Sequence, residues 1–248
     1  MHGLEFVAGT WCNLGSSLTA EIAGRSGFDW VLLDGEHGSG DFGDLVHQLQ
    51  AVAATHAKAV VRVAWNDPVR IKRVLDLGAA GIMVPYVNTA DEARRAAAAM
   101  RYPPAGIRGA ARNTRATGFG QGFDDYFRRA NDDLLTVVQV ETEEAVSNAA
   151  DIAKVDGVDV LFVGPLDLSV SLGAPLQLDA PRFREAVARV VGAARAAGKA
   201  AGILLGAAGQ VDQAVRDGFT FVALGSDGGM VAAGMKAAAD ALRAGVPK

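Results

Sequence analysis

Short apolar runs rich in β-branched residues alternate with Ala-rich segments of helical character along the whole chain. The first run covers residues 6–12 and precedes a helix from Ser17, an N-cap candidate, to Arg25. A second strand is expected over 30–34, then a helix over 41–54. A third strand is expected over 59–65, after which Asn66-Asp67-Pro68 opens a helix, with the proline suited to its first turn. A fourth strand over 81–85 leads to Thr89-Ala90-Asp91-Glu92, a capping box by type and spacing. Strands over 134–140 and 158–163 follow, the first with a helix from Glu143 and the second with a short helical turn and a helix over 180–197. Strands over 200–205 and 220–225 and a helix over about 230–244 complete the pattern.

Eight such alternations in 248 residues predict eight right-handed crossovers closing into a (β/α)8 barrel, the TIM-barrel fold, as one domain over residues 1–248. A doubly wound open sheet would place a Gly-rich phosphate turn after the first strand. The sequence there, Trp11-Cys12-Asn13-Leu14-Gly15-Ser16-Ser17, has no G-x-G-x-x-G. One connection breaks the rhythm. Residues 101–132 far exceed the usual loop of about two to six residues. This inserted segment holds Tyr102-Pro103-Pro104, a Gly-rich piece at 118–122 and a helical end around 124–131. It starts at the barrel's bottom, so it either climbs the wall or serves a neighbouring subunit. Its Arg108, Arg112 and Arg115 read as solvated loop arginines, with an acidic substrate tail as the alternative contact.

Half of the residues are hydrophobic and the net charge is −4, with no basic stripe, which argues against a nucleic-acid partner. The single cysteine, Cys12, cannot form an internal disulfide and lies in an apolar run, where packing is its expected role. No signal-peptide pattern opens the sequence, and its apolar stretches are too short to span a bilayer. The expectation is a soluble cytoplasmic protein with no membrane partner.

Polar residues collect where the apolar runs end. Asp34-Gly35-Glu36-His37-Gly38 follows the second strand, Arg62 lies late in the third, Glu141 follows the fifth and Gly164-Pro165-Leu166-Asp167 follows the sixth. In a (β/α)8 barrel these ends share one mouth. Val137, Gln139 and Glu141 fall on one face of their strand, and Arg62 on a face with Val60 and Ala64. A buried arginine needs an anionic partner from the protein or a ligand. Any one of the acids would serve equally as a helix cap; the whole set at one rim points to catalysis. His37 is the one histidine at a strand exit, while His2, His47 and His56 are terminal or helical. Two carboxylates without a Cys or His cluster suit a hard divalent cation, Mg2+ or Mn2+ first, with Co2+ and Zn2+ as alternatives. Gly164, Pro165 and Leu166 add backbone amides at a helix start that can receive a carboxylate. Such a site suits a 2-oxo acid whose enolate Arg62 and the cation stabilise. None of the six lysines sits where a Schiff base would form, so a lysine-dependent aldolase is disfavoured.

Phe28-Asp29-Trp30 with Asp34-Gly35-Glu36-His37, Arg62 with Trp65-Asn66-Asp67-Pro68, and Tyr102-Pro103-Pro104-Ala105-Gly106-Ile107-Arg108-Gly109 resemble the HpcH/HpaI family of class II pyruvate-dependent aldolases. So do Gln139-Val140-Glu141-Thr142 and Gly164-Pro165-Leu166-Asp167-Leu168-Ser169, in the same order along the chain. The resemblance implies Glu141 and Asp167 as metal ligands, Arg62 as the clamp on pyruvate and its enolate, and His37 in the acid/base machinery. It pairs His37 with Asp76, a residue the pattern puts late in the third helix toward the barrel's bottom. It also puts Gln139 near the keto acid and Asp34 or Glu36 beneath metal-bound waters. It implies a homo-oligomer, typically a hexamer, and Tyr126 resembles a position near the site of the related macrophomate synthase. The expected activity is retro-aldol cleavage of a 4-hydroxy-2-oxo acid to pyruvate, or hydroxypyruvate, plus an aldehyde. The alternatives are a decarboxylase of oxaloacetate-like acids, a lyase acting on a CoA thioester, or a barrel that binds keto acids without turnover.

Overall fold

A computed structural model describes residues 5–245. Eight parallel strands close into a barrel in chain order: β1 (Val7–Cys12), β2 (Trp30–Asp34), β3 (Lys58–Arg62), β4 (Gly81–Val84), β5 (Leu135–Val140), β6 (Val160–Val163), β7 (Ala200–Leu205) and β8 (Phe221–Ser226), with β8 pairing back onto β1. The expected (β/α)8 barrel is the fold found. Parallel strands buried on both faces read as continuous apolar runs, and every residue of β2 is buried.

Alternate residues divide into two cores. Trp11, Trp30, Leu32, Met83, Phe162 and Phe221 point inward, together with Val60 and Val137. Val31, Leu33, Val61, Ile82 and Leu161 point outward to the helices. Inside the barrel, Trp30 stacks on Phe221 at 4.0 Å and meets Phe162 edge-on. Gly9 makes room for this, since a Cβ there would lie 2.2 Å from the Trp30 ring. The aromatic fill closes the barrel's interior and forms the floor of the mouth above it. Two-residue steps from Val60 and Val137 bring Arg62, Gln139 and Glu141 inward at that mouth.

The helices are α1 (Ser17–Arg25), α2 (Phe42–Ala53), α3 (Pro68–Asp76), α4 (Ala90–Met100), α5 (Phe123–Asp133), α6 (Glu143–Ser147), α7 (Ala149–Ala153), α8 (Pro165–Ser171), α9 (Pro181–Ala196), α10 (Val211–Asp217) and α11 (Asp227–Ala244). Ser16 rather than Ser17 caps α1, accepting from the Thr19 amide. The Thr89–Glu92 capping box on α4 and Pro68 in the first turn of α3 are as expected. β3 stops at Arg62, three residues before the apolar run ends, because Asp67 turns the chain back onto the Trp65 carbonyl and then caps α3. Trp65 therefore leaves the sheet and is 58% exposed. α11 begins at Asp227, three residues earlier than expected. Its glycine-rich first turn is capped by Ser226, and Asp227 is pinned by the Asn13 amide and the Thr19 hydroxyl.

The long segment lies against its own barrel at the end opposite the mouth. Arg115 donates to the Leu77 carbonyl just past α3, and α5 leads back into β5. α11 does the reverse. Asp227 is its one buried residue, and Met230, Val231, Met235 and Leu242 stand exposed. On α1, Leu18 and Ile22 are 71% and 65% exposed. Among the described residues no helix is long and apolar enough to cross a membrane.

Candidate active site at the barrel mouth

The β2/β3 register sets Asp34 directly beside Arg62. Arg62 Nε donates to Asp34 Oδ1 at 2.9 Å and Nη2 to Oδ2 at 2.6 Å, a bidentate fork, while Nη1 reaches Glu36 Oε2 at 2.9 Å. The guanidinium sits 5.3 Å from the ring centroid of Trp11, on the aromatic floor. The Glu36 and His37 amides also donate to Asp34 Oδ1, so the loop after β2 is wrapped around this carboxylate. Burial opposes ionisation of Asp34, but the Arg62 hydrogen bonds and charge outweigh it and hold its carboxyl below the usual range. Glu36 moves the other way: burial, with the charges of Asp34 and Asp167, outweighs Arg62. Three of the five guanidinium N–H groups are committed to the two acids, which leaves two for a ligand.

Across the mouth, Glu141 Oε1 accepts from the Tyr86 amide at 2.8 Å and Oε2 from Gln139 Nε2 at 3.1 Å. Gln139 Oε1 is buried and has no partner among the described residues. Gly164 keeps this corner open, since a Cβ there would lie 2.5 Å from Glu141 Oε2. Pro165 and Asp167 form the first turn of α8, whose N-terminus has no side-chain cap. Burial pushes the Glu141 carboxyl up to about 7, and the charges of Asp167 and Glu36 add to the push. Two crowded carboxylates and an unsatisfied amide oxygen are what a hard cation relieves. Among the described residues no group of three His, Cys, Asp or Glu side chains could hold a metal. That donor set suits a cation keeping water or substrate oxygens in its remaining positions, as Mg2+ and Mn2+ do, rather than a closed structural zinc site.

His37 is exposed at the rim, and its charge is felt by Glu36. Asp34 and Glu36, which the resemblance sets under metal-bound waters, both engage Arg62 directly. Leu166 is exposed beside Asp167. Asp76 and Tyr126 are elsewhere. Asp76 ends α3 at the foot of the barrel and accepts from Arg108 Nη2 at 2.9 Å, and Arg108 Nη1 donates to the Tyr126 hydroxyl at 3.0 Å. Within one chain, then, Asp76 lies at the opposite end from His37. Arg108 is fully buried, with Tyr102 at 4.5 Å, so its reading as a solvated loop arginine is corrected. Asp76 and Tyr126 engage its two terminal nitrogens, while its buried Nε has no partner among the described residues. Arg115 is likewise engaged, on the Leu77 carbonyl, and Arg112 is exposed near Asp124.

Two participants have no signal in the sequence. Trp11 supports Arg62 from below. Tyr86 has a positive φ of 51°, and its amide holds Glu141.

Comparisons with known proteins agree with the barrel fold. The family model for HpcH/HpaI aldolase/citrate lyase matches residues 8–233. A 4-hydroxy-2-oxo-heptane-1,7-dioate aldolase of Salmonella dublin is 43% identical over 93% of this chain and 88% of its own length. The crystal structure of an HpcH/HpaI aldolase/citrate lyase family protein from Burkholderia cenocepacia superimposes with a TM-score of 0.92 at 37% identity, covering 97% of this chain and 96% of that one. The citrate synthase SbnG superimposes with a TM-score of 0.87 at 28% identity, covering 97% and 94%. The chain belongs to the HpcH/HpaI aldolase/citrate lyase family, and it is a carbon–carbon lyase.

Proposed function

We propose that the mouth cleaves 4-hydroxy-2-oxo acids to pyruvate, or hydroxypyruvate, and an aldehyde, with Glu141 and Asp167 holding a divalent cation. The observation that carries this reading is the buried pair of Glu141 and the unsatisfied Gln139 Oε1, open through Gly164 and facing Arg62. Mg2+ or Mn2+ in that corner would supply Lewis-acid polarisation of the keto group. The chain's own residues do the rest. The Leu166 and Asp167 amides at the uncapped start of α8 receive the substrate carboxylate. Arg62 directs its two spare N–H groups at the keto oxygen, where negative charge grows as the C3–C4 bond breaks. Asp34 and Glu36 fix that guanidinium in advance, so no reorganisation is required in the transition state. His37 takes the C4 hydroxyl proton as the C3–C4 bond breaks, the bond's electron pair becomes the enolate, and His37 returns the proton to C3 to give the keto acid. Gln139 positions the keto acid beside Glu141.

The working form in this reading is a homo-oligomer, a hexamer by family resemblance. The exposed apolar residues of α11 and α1 support association with further copies of the chain. Asp76 and Tyr126, joined through Arg108, then serve a neighbouring subunit's mouth rather than their own. The partners are a 2-oxo acid and an aldehyde, and the place of work is the cytoplasm. The test is pyruvate release over a panel of 4-hydroxy-2-oxo acids, with and without chelator. Chelator-sensitive release from at least one of them is expected. Release from oxaloacetate alone would replace the aldolase with a decarboxylase.

A further inference from the structure

We propose that Trp65 and Tyr86 form the wall that receives the aldehyde half of the substrate, and that they favour an aldehyde with a flat or apolar substituent. The inference rests on the aldolase reading above and adds the class of acceptor.

Tyr86 follows Pro85 directly at the exit of β4. Its φ of 51° lies in the left-handed region, which glycine adopts freely and a tyrosine does not. The amide bond to Glu141 Oε1 holds it there. A bulky side chain kept in an unfavourable backbone conformation, one hydrogen bond from a candidate metal ligand, calls for a reason in the ring itself. The Tyr86 ring tilts against Trp65, with centroids 6.2 Å apart and planes at 31°. Trp65 stands just past β3, and both rings project from the rim, 58% and 39% exposed. The barrel's other large aromatics, Trp11, Trp30, Phe162 and Phe221, are buried beneath the site. The rim pair is thus the aromatic surface left to a ligand.

A flat group lying against these two rings would gain ring contact that a small aldehyde cannot make.

The experiment compares kcat/KM for pyruvate addition to benzaldehyde, succinic semialdehyde and glycolaldehyde in the full-length enzyme, Trp65→Leu and Tyr86→Gly. Glycine accepts the φ of position 86 and keeps the amide to Glu141. Exchange of pyruvate methyl protons in D2O, followed by NMR, reads the donor half separately. Each variant should lose about 10-fold or more with benzaldehyde. Glycolaldehyde should change less than benzaldehyde, and exchange should be retained in Trp65→Leu. An equal loss with all three aldehydes, or none with benzaldehyde, overturns the wall while leaving the aldolase reading intact. Dissociation of either variant by light scattering overturns it as well, assigning the rings to a subunit contact. A wild type that neither exchanges nor condenses removes the aldolase reading, and the wall with it.

Discussion

Arg62→Ala would strand two carboxylates. The Asp34 side chain is 1% exposed and that of Glu36 13%, and Arg62 supplies the bidentate fork to one and a single bond to the other. Removing one member of a buried ion pair costs about 3–5 kcal/mol, most of it the charge left behind. Native proteins have about 5–15 kcal/mol in total, so the variant should fold with its melting temperature lowered on the order of 10 °C. The pH dependence should invert. In the wild type the Asp34 carboxyl is held below its ordinary 3.8, so its contribution is present above that pH and lost as pH falls through the folded value. Without Arg62, burial dominates and raises the carboxyl, and stability should instead fall as pH rises above about 4. Arg62→Ala/Asp34→Asn should recover most of the lost stability, because a neutral amide tolerates the site better than a lone carboxylate. It should not recover pyruvate proton exchange, which requires the donor itself. Thermal unfolding by circular dichroism and exchange by NMR read the two effects. A single variant melting within about 2 °C of wild type would refute the buried-pair argument. Exchange restored in the double variant would reduce Arg62 to a counter-ion for Asp34.

Glu141→Gln and Asp167→Asn should each abolish divalent-cation binding by calorimetry without unfolding the barrel, and full affinity in either removes that residue from the ligand set. Glu141 also predicts a pH effect in the metal-free chain. Its carboxyl is pushed from 4.5 to about 7, so the native state keeps a proton that the unfolded state gives up. Stability should therefore fall as pH rises across that window, and the melting shift produced by Mn2+ should grow as pH passes about 7; a pH-independent shift would contradict it. Borohydride should not trap the protein on pyruvate, and a stable lysine adduct would end the metal-dependent reading. Met235→Glu or Leu18→Glu should yield a smaller particle by light scattering, and a wild type that is already monomeric would contradict the subunit contact.

The barrel was legible because buried parallel strands are continuous apolar runs with capping residues between them, as at Thr89 and Glu92. The misplaced boundaries share a cause. Val63-Ala64-Trp65 is apolar enough to extend β3, but Asp67 turns it out to the rim. Asp227-Gly228-Gly229 looks like loop but is a first helical turn. At the mouth, residue types at strand ends indicated Arg62, Glu141, Gln139 and Asp167. The partner of Arg62 was not legible, because pairing with Asp34 depends on β2/β3 register, which no local pattern encodes. Nor does any pattern mark Tyr86, whose role depends on a backbone angle. Arg108 misled for a related reason: its bonds to Asp76 and Tyr126 are contacts across 32 and 18 residues of chain.

The central claim is that the mouth makes an enolate of pyruvate with a divalent cation on Glu141 and Asp167. Pyruvate methyl-proton exchange in D2O, followed by NMR with and without chelator, tests it most directly. The account predicts exchange that vanishes with excess chelator and returns with Mg2+ or Mn2+. Exchange at an undiminished rate in excess chelator would contradict it.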